Sequence, residues 1–506
     1  MHLADFIKSL SFTKKLDNKQ IGNLESVKAS SKVFHQDADT LDTVSVLLDE
    51  SIDENTIVLE SGHQPNFLPH PATFKKIFML DLFSKRLREQ GYRVLPLFGF
   101  GDLNISTPSL LTRNKIPAFT REGFKGVGFR LKGDMRYTSF NLVDKPSSGD
   151  WDVELDSIKN FYLDNARLTG LKGINENLDE VFKVIGECFE QANNFAELNS
   201  FIISQICNKV WGLNVLFFRY SDVQQDMVLV DEAYQVFNSA ADYNRYYNEA
   251  VDELDVGLSP VDVDSYPFWF HCGCGVKIPL TESFVCRGCG QEHDYTLNKA
   301  FFRKHFMDLD YSAVCRDLVY AEGLGTSLFF SGVGGSLRYG RVSDYVGGKM
   351  GLYRPRVLGV GGKDYYFGVV HQRILKDLVD GFGLSFGDVG DKRVLELKID
   401  EKLSAFRVEL SKSCGGDRKT IEDKLSFRLN QLNMARRAFG VVSSVLDLFV
   451  LLGVGGVGDA WGALSGSIVE GNRVDCSLCY DSGLVDKDSV PKYIGGLSGL
   501  EVIVDV

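Results

Sequence analysis

The stretch Ser61–Ile77, SGHQPNFLPHPATFKKI, follows TIVLE (Thr56–Glu60). TIVLE reads as a short buried strand. Ala72–Gln90 reads as a helix: Phe74, Ile77, Phe78, Leu80, Leu82, Phe83 and Leu87 are apolar, and Lys75, Lys76, Lys85, Arg86 and Arg88 give a charged face. Gly91 ends it, and YRVLPLFGF (Tyr92–Phe100) reads as the next strand. Strand, helix and strand in about 45 residues make a βαβ unit, which implies a parallel sheet. The fold class expected is therefore α/β, with a Rossmann-like parallel-sheet core.

The rest of the chain extends this expectation. LNVLFFR (Leu213–Arg219), SLFFSG (Ser327–Gly332) and YRPRVLGV (Tyr353–Val360) read as further strands, and Asp156–Cys207 as mostly helical. Leu395, Ile399, Leu403, Phe406 and Leu410 fall on one helical face. Ile421, Leu425, Leu429 and Leu432 resume the pattern after Cys414–Asp417. The pattern fits a helical hairpin, either a coiled-coil arm or two helices packed on the body. The expected division is a Rossmann-like N-terminal region with a helical segment (1–265), a zinc ribbon (266–297), a second smaller α/β segment (298–390), the hairpin (391–440) and a C-terminal segment (441–506).

Composition narrows the function classes. Of 506 residues, 56 are Lys or Arg and 68 Asp or Glu, a net charge of −12. That argues against a general nucleic-acid binder or a partner for anionic membranes. The most apolar run, Val441–Leu464, carries Asp447, Asp459 and several glycines, so it reads as a buried helix plus a glycine-rich loop rather than a membrane span. MHLADFIKSLSFTKK lacks the apolar core of a secretory signal. Ten cysteines without such a signal suggest a reducing cytoplasm, where metal ligands are expected before disulfides.

FHCGCGVKIPLTESFVCRGCGQEH (Phe270–His293) holds Cys272, Cys274, Cys286 and Cys289 in knuckle–hairpin–knuckle spacing. Four thiolates suit tetrahedral Zn²⁺ with no open position, so the site is expected to be structural. His271 or His293 is an alternative fourth ligand. Cys476 and Cys479 form a lone C-x-x-C with no partner pair nearby.

In a parallel sheet, ligands sit beyond the carboxyl ends of strands. Gly62 allows close backbone approach, and Pro65, Pro69 and Pro71 stiffen the loop. His63 is a candidate acid or base, while Gln64 and Asn66 offer donors and acceptors. The helix start near Thr73, with Lys75 and Lys76, favours an anionic group. GVGG (Gly332–Gly335) offers backbone N–H groups, and Arg356 suits a bidentate anion contact, with Arg354 a weaker choice. The absence of G-x-G-x-x-G argues against a nicotinamide dinucleotide.

These motifs, with VLPLFGFGDLN (Val94–Asn104) and LFFSGVGGSLRYGRVSDYVGGKMGLYRPRV (Leu328–Val357), resemble in order the cysteine-adding enzyme family of bacillithiol synthesis. The resemblance implies a Rossmann-like core, a connecting domain, a coiled-coil arm and condensation of cysteine with a glucosaminyl malate. Gly62, His63, Gln64 and Pro65 match the family's loop. Asp102 matches the first residue of its Asp-His-Asp cluster, and Gly332, Gly335 and Tyr339 match its glycine turn. Arg356 matches its proline–arginine strand. Asp102-Leu103-Asn104 stands where the family has Asp-His-Asp, and Ser336 where it has glutamate. The ribbon is an insertion. GHQPNFLP with TRNKIP (Thr112–Pro117) also resembles a small family encoded in O-antigen clusters, acting on sugar-linked substrates.

The resulting expectation is a cytoplasmic ligase or transferase joining a cysteine-like amino acid or an amine to a sugar-linked, anionic acceptor. His63 and Asp102 are the catalytic candidates. Gly62, Gln64, Asn66, Asn104, Gly332, Gly334, Gly335, Tyr339 and Arg356 are the binding candidates. Zn²⁺ is structural, a nucleotide is a possible second cofactor, and the hairpin is a candidate homodimer contact. The alternatives are a non-catalytic sugar-ligand binder on the same scaffold and a zinc-ribbon interaction protein.

Overall fold

The computed structural model describes the chain apart from residues 107–108, 132–134, 333–334, 363, 383–391, 413–417, 463, 465–466, 477 and 480–506. Its main sheet has seven strands, numbered here in chain order: β1 Ile57–His63, β2 Val94–Phe100, β3 Leu216–Arg219, β4 Leu328–Gly332, β5 Arg356–Gly361, β6 Ile468–Glu470 and β7 Arg473–Asp475. Across the sheet they run β6-β7-β5-β4-β1-β2-β3. Every neighbouring pair is parallel except β6 with β7. The six parallel strands thus follow the doubly wound order, in which the first three extend one way and the next three the other. The switch falls between β1 and β4.

Parallel strands buried on both faces carry nearly continuous apolar runs. β2, VLPLFGF, is buried at every position. Alternation then divides side chains between two layers. Ile57, Leu59, Phe98 and Phe100 join one core, and Val58, Leu95 and Leu97 the other.

The helix Pro71–Glu89 covers the first face. Pro71 starts it without losing a needed donor. Phe74, Ile77, Leu80, Phe83 and Leu87 are fully buried on its inner side. Each such side chain contributes roughly 1.5–3 kcal/mol relative to exposure. It stops at Gly91, which takes a φ of +89°. The helices Ala313–Leu324 and Gly335–Met350 cover the second face, with Leu318, Val342 and Val346 in its core. The chain therefore leaves β1 toward one face and β4 toward the other, which opens a crevice between their carboxyl ends.

The cysteine-bearing insertion forms the hairpins Phe268–His271/Lys277–Pro279 and Ser283–Val285/Glu292–Asp294, with Leu309–Tyr311 pairing the first. The helices Lys392–Lys412 and Arg418–Phe439 form the expected hairpin, and Ile399, Leu403, Leu432 and Ala435 share a core with Ile374 and Leu378 of the helix Val369–Phe382. The glycine-rich run after Val445 is helical, not a loop. Leu446–Leu452 and Val454–Gly462 are helices broken at Gly453. Gly458 lies where a Cβ would come within 2.3 Å of Trp211, so the glycine is a packing requirement. Among the described residues no helix is long and apolar enough to cross a membrane.

Candidate functional site

His63 is the last residue of β1, and its carbonyl accepts from Gly101 N at 3.0 Å. Its Nδ1 lies 2.8 Å from the Gln64 carbonyl. A carbonyl only accepts, so Nδ1 carries the proton and Nε2 keeps a lone pair. Burial, followed by the nearby charge of Lys76, lowers the imidazole pKa to about 3. His63 is therefore neutral near pH 7. Lys76 is 3% exposed, and its Nζ donates to the Gly62 carbonyl at 2.7 Å. No carboxylate pairs with it among the described residues, and burial lowers its pKa to about 7. Of the two groups, Lys76 is the one able to exchange a proton at neutral pH.

The loop that carries them is held from outside. Asn199 Nδ2 donates to Pro65 O at 2.7 Å and to Leu111 O at 2.6 Å. Asn114 Nδ2 and Ser444 Oγ both donate to Leu68 O, and Val445 N donates to Pro69 O. Leu68 sits at a φ of +40°, costly for a branched residue and sustained by these contacts. Asn66 N donates to Gln64 O, while its buried Oδ1 has no partner. Gln64 is half-buried.

The loop after β2 follows a different plan. Asp102 is buried, and its two oxygens accept from Ser221 N and Ser221 Oγ. No hydrogen bond joins it to His63. Asp102, the second catalytic candidate, is thus bonded to Ser221 and not to the imidazole. Burial raises its pKa to about 7 despite the Ser221 bonds. Asn104 Nδ2 closes the turn on Gly101 O at 2.8 Å. Beside Asp102, at the carboxyl ends of β2 and β3, lies a polar depression of about 270 Å³ lined by Asn194, Glu197, Arg219 and Asp222 among others. Arg219 is fully engaged there, 2.8 Å from both Glu197 and Asp222.

Gly62 and Gly99 are bare for a reason the sequence did not reveal. A Cβ on Gly62 would lie 2.6 Å from the Tyr220 hydroxyl, and one on Gly99 2.3 Å from Tyr220 Cε1. The ring of Tyr220 fills the space over both strand ends. The close approach expected at Gly62 is made by this tyrosine. Nothing local in RYSDV (Arg219–Val223) signals that role, because the partners come from β1 and β2.

At the carboxyl end of β4, Gly332 faces open space. Gly334 lies outside the described residues. Gly335 opens the helix Gly335–Met350, and Tyr339 packs half-buried against the core of the second face. Arg356 does not join this group. It is the first residue of β5, in register with Leu328, the first of β4. It therefore lies at the amino end of the sheet, opposite His63, with its guanidinium 4.9 Å from the Phe6 ring centroid.

The ligand atoms of Cys272, Cys274, Cys286 and Cys289 all lie within 4.8 Å of one another. Two of their sulfur pairs are 3.7 and 3.4 Å apart. A tetrahedron of metal–thiolate bonds near 2.3 Å has edges of about 3.8 Å, so the set suits one metal ion with its shell filled. Gly275 (φ +86°) and Gly290 (φ +73°) make the turn after the second cysteine of each knuckle. His293 stands outside the four ligands. Its Nε2 is 3.5 Å from Cys272 Sγ and its Nδ1 2.9 Å from Tyr295 O–H. That is the supporting contact a thiolate cluster uses to disperse charge. Among the remaining cysteines, the buried thiol of Cys476 donates to Gly361 O at 2.8 Å. The Cys479 side chain lies outside the described residues.

No family model matches the chain, and no curated protein matches it. Among solved structures, a chain from Campylobacter jejuni described as a "putative arginyl t-RNA synthetase" aligns at 11% identity, covering 85% of this chain and 96% of that one with a TM-score of 0.23. A score that low carries no argument about fold or function.

Proposed function

We propose that the chain is a small-molecule ligase or transferase that forms a C–N bond between an amino acid or amine and a sugar-linked, anionic acceptor. The observation that carries this reading is the strand order, which sets the loops after β1 and β4 on either side of the switch point. Ligands of doubly wound sheets bind at that place. Lys76 takes the proton of the attacking ammonium, the C–N bond forms, the C–O bond breaks, and the leaving oxygen departs as water with the proton that Lys76 hands on. His63 Nε2 accepts a hydrogen bond from the substrate and stays neutral. The resemblance of GHQPNFLPHPATFKKI to the bacillithiol-synthesis family supports the cysteine-like class of amine donor. The metal of the four-cysteine cluster is zinc, and its role is structural.

The test is turnover by the full chain with cysteine and a glucosaminyl malate, with and without ATP, read by mass spectrometry. Product formation that Lys76→Met lowers at least 100-fold supports the reading. Turnover unchanged in that variant overturns the role of Lys76, and no product with any amine–acceptor pair overturns the reaction. One observation favours a second reading, a diverged ligand-binding protein: Asp102 is occupied by Ser221, so no carboxylate–imidazole pair is assembled. Tight sugar-acid binding without turnover would decide for it.

A further inference from the structure

Behind Gly62, on the face of the sheet opposite Lys76, lies a second group of polar side chains that the reaction above does not use. Arg316, from the helix Ala313–Leu324, rests against Tyr220 with its guanidinium carbon 5.2 Å from the ring centroid. Its Nη1 reaches within 3.9 Å of where a Cβ on Gly101 would stand. Among the described residues Arg316 makes no hydrogen bond and no ion pair. Arg219 shows how this protein ordinarily keeps a buried guanidinium, with carboxylate oxygens of Glu197 and Asp222 at 2.8 Å. A guanidinium has five donors and never loses its charge at working pH. Leaving one largely out of water without an acceptor costs several kcal/mol. Such a group is expected where a ligand supplies the acceptor.

The space next to Arg316 fixes the kind of ligand. A cavity of about 40 Å³ is lined by Arg316, Tyr220, Glu60, Asp317, Tyr320 and other residues. One water position takes about 10–15 Å³ on this measure. The cavity is therefore small, of the order of a few water positions, which suits the compact, planar O–C–O of a carboxylate. We propose that the Arg316–Tyr220 cavity is a subsite for the carboxylate of a small organic acid. The carboxylate accepts the guanidinium fork.

Glu60 and Asp317 stand close to this position, and they set its pH range. Glu60 is buried and accepts from Thr326 Oγ1. Burial raises its carboxyl pKa to about 7, the Thr326 bond opposes the rise, Asp317 adds to it and Arg316 opposes it. Asp317 is raised to about 6, by burial first, with Arg316 and Ser343 opposing. The titratable or charged groups around Glu60 are thus Arg316, Asp317 and Tyr320 of one helix and Tyr220 of another, with the Asp344–Arg354 ion pair also lining the cavity. Below about pH 6 both carboxyls hold protons and leave the guanidinium to the ligand. Above pH 7 both ionise and repel it.

The experiment is titration of the full chain with acetate at constant ionic strength, followed by ligand-observed NMR and thermal shift at pH 6 and pH 8, with inorganic phosphate and methylammonium as parallel probes. The inference expects saturable acetate binding at pH 6, at least fivefold weaker binding at pH 8, and no saturable binding of the other two. Arg316→Met loses the acetate signal. Arg316→Lys, which keeps the charge without the fork, weakens it about tenfold. Glu60→Gln flattens the difference between the two pH values. No saturation by acetate at pH 6, equal binding in a folded Arg316→Met or Arg316→Lys protein, or preference for phosphate or methylammonium overturns the subsite. The subsite does not depend on the reaction proposed above. Its failure is a binding result and leaves the turnover experiment untouched.

Discussion

The cysteine ribbon and the loops at the ends of β1 and β2 both hold polar groups in fixed positions, by opposite means. The ribbon gathers four sulfurs from the 18 residues Cys272–Cys289 and positions them through two hairpins and two glycine turns. The β1 loop is held by Asn199, Asn114 and Ser444, and the last of these bonds spans 376 residues of sequence. A site closed by local chain folding is set by its own spacing. A site closed by distant partners depends on the whole sheet being assembled first. The difference implies that the ribbon fails when its metal is lost, and the loop fails when the body is disturbed.

The largest expected effect breaks the ribbon alone. Cys286→Ser removes one of four ligands from a centre whose binding energy is of order 10–16 kcal/mol in small zinc modules. The parent chain is expected to carry one equivalent of zinc by elemental analysis, and the purified variant to lack it. Amide protection should vanish across 268–295 while the helix Pro71–Glu89 stays protected. Retention of stoichiometric zinc with unchanged exchange would refute the tetrathiolate centre.

The next effect tests whether the two regions are as separate as the comparison claims. Lys277, three residues after the first knuckle, is buried in an ion pair with Asp310, and its Nζ also donates to Leu103 O at 3.0 Å. Ser139 N donates to Gly275 O, and Phe140 N to Asn104 O. The ribbon therefore grips the loop that carries Asp102 and Asn104. Lys277→Met strands the Asp310 charge and is expected to cost about 3–5 kcal/mol in urea unfolding. The double variant Lys277→Met/Asp310→Leu should recover most of that loss, because neither charge is then left alone. A single-variant cost below about 0.5 kcal/mol would mean the pair is effectively solvated and the grip is weak.

What the sequence disclosed follows the same division. The strands TIVLE, YRVLPLFGF and SLFFSG and the helix after GHQPN were legible because apolar periodicity is a local property, and β2, β4 and Pro71–Glu89 lie within a residue or two of where it put them, while β1 runs on three residues past TIVLE, to His63. The four cysteines were legible because metal spacing is local too. His63 and Asp102 were named together because the resemblance matches both to family motifs, and they do lie at the ends of neighbouring strands. The structure turns Asp102 to Ser221, a residue 119 positions further on. Arg356 was read as an anion contact from its match to the family's proline–arginine strand. A strand must be traversed between its ends, so its first residue lies at the far edge of the sheet. Tyr220 and Arg316 gave no signal, since what marks them is a pair of bare glycines on β1 and β2 and the lack of an ion pair.

A smaller effect sharpens the account of the β1 loop. Asn199→Ala removes donors from Pro65 O and Leu111 O and leaves the Pro65 carbonyl unpaired, while Leu111 O keeps the Phe67 N–H at 3.2 Å. The expected cost is about 1–3 kcal/mol. Exchange should rise at Gln64–Leu68 without change at the ribbon. Equal loosening of both regions would show that they fail together, and would remove the contrast.

The smallest effect decides whether His63 and Asp102 act as a pair. Asp102 has a folded pKa raised to about 7 from 3.8, chiefly by burial. Between those values the folded state keeps a proton that the unfolded chain has released, so stability falls as pH rises through that window. His63 is lowered to about 3 from 6.5, by burial first and then by Lys76. Between those values the unfolded chain holds the extra proton, so stability rises with pH over nearly the same range. The two slopes oppose each other, and each single variant should expose the other. Asp102→Asn, which can still accept from Ser221 N, should remove the fall and leave the His63 rise unopposed, so that raising the pH from 4 to 7 stabilises the variant relative to the parent. His63→Ala should remove a rise of similar size. Because no hydrogen bond joins the two residues, the double variant should match the sum of the singles within about 0.3–0.5 kcal/mol at every pH. A coupling above 1 kcal/mol that appears only near pH 6 would mean that the carboxyl and the imidazole share a proton, and the Ser221 contact would then be the weaker of two alternatives for Asp102.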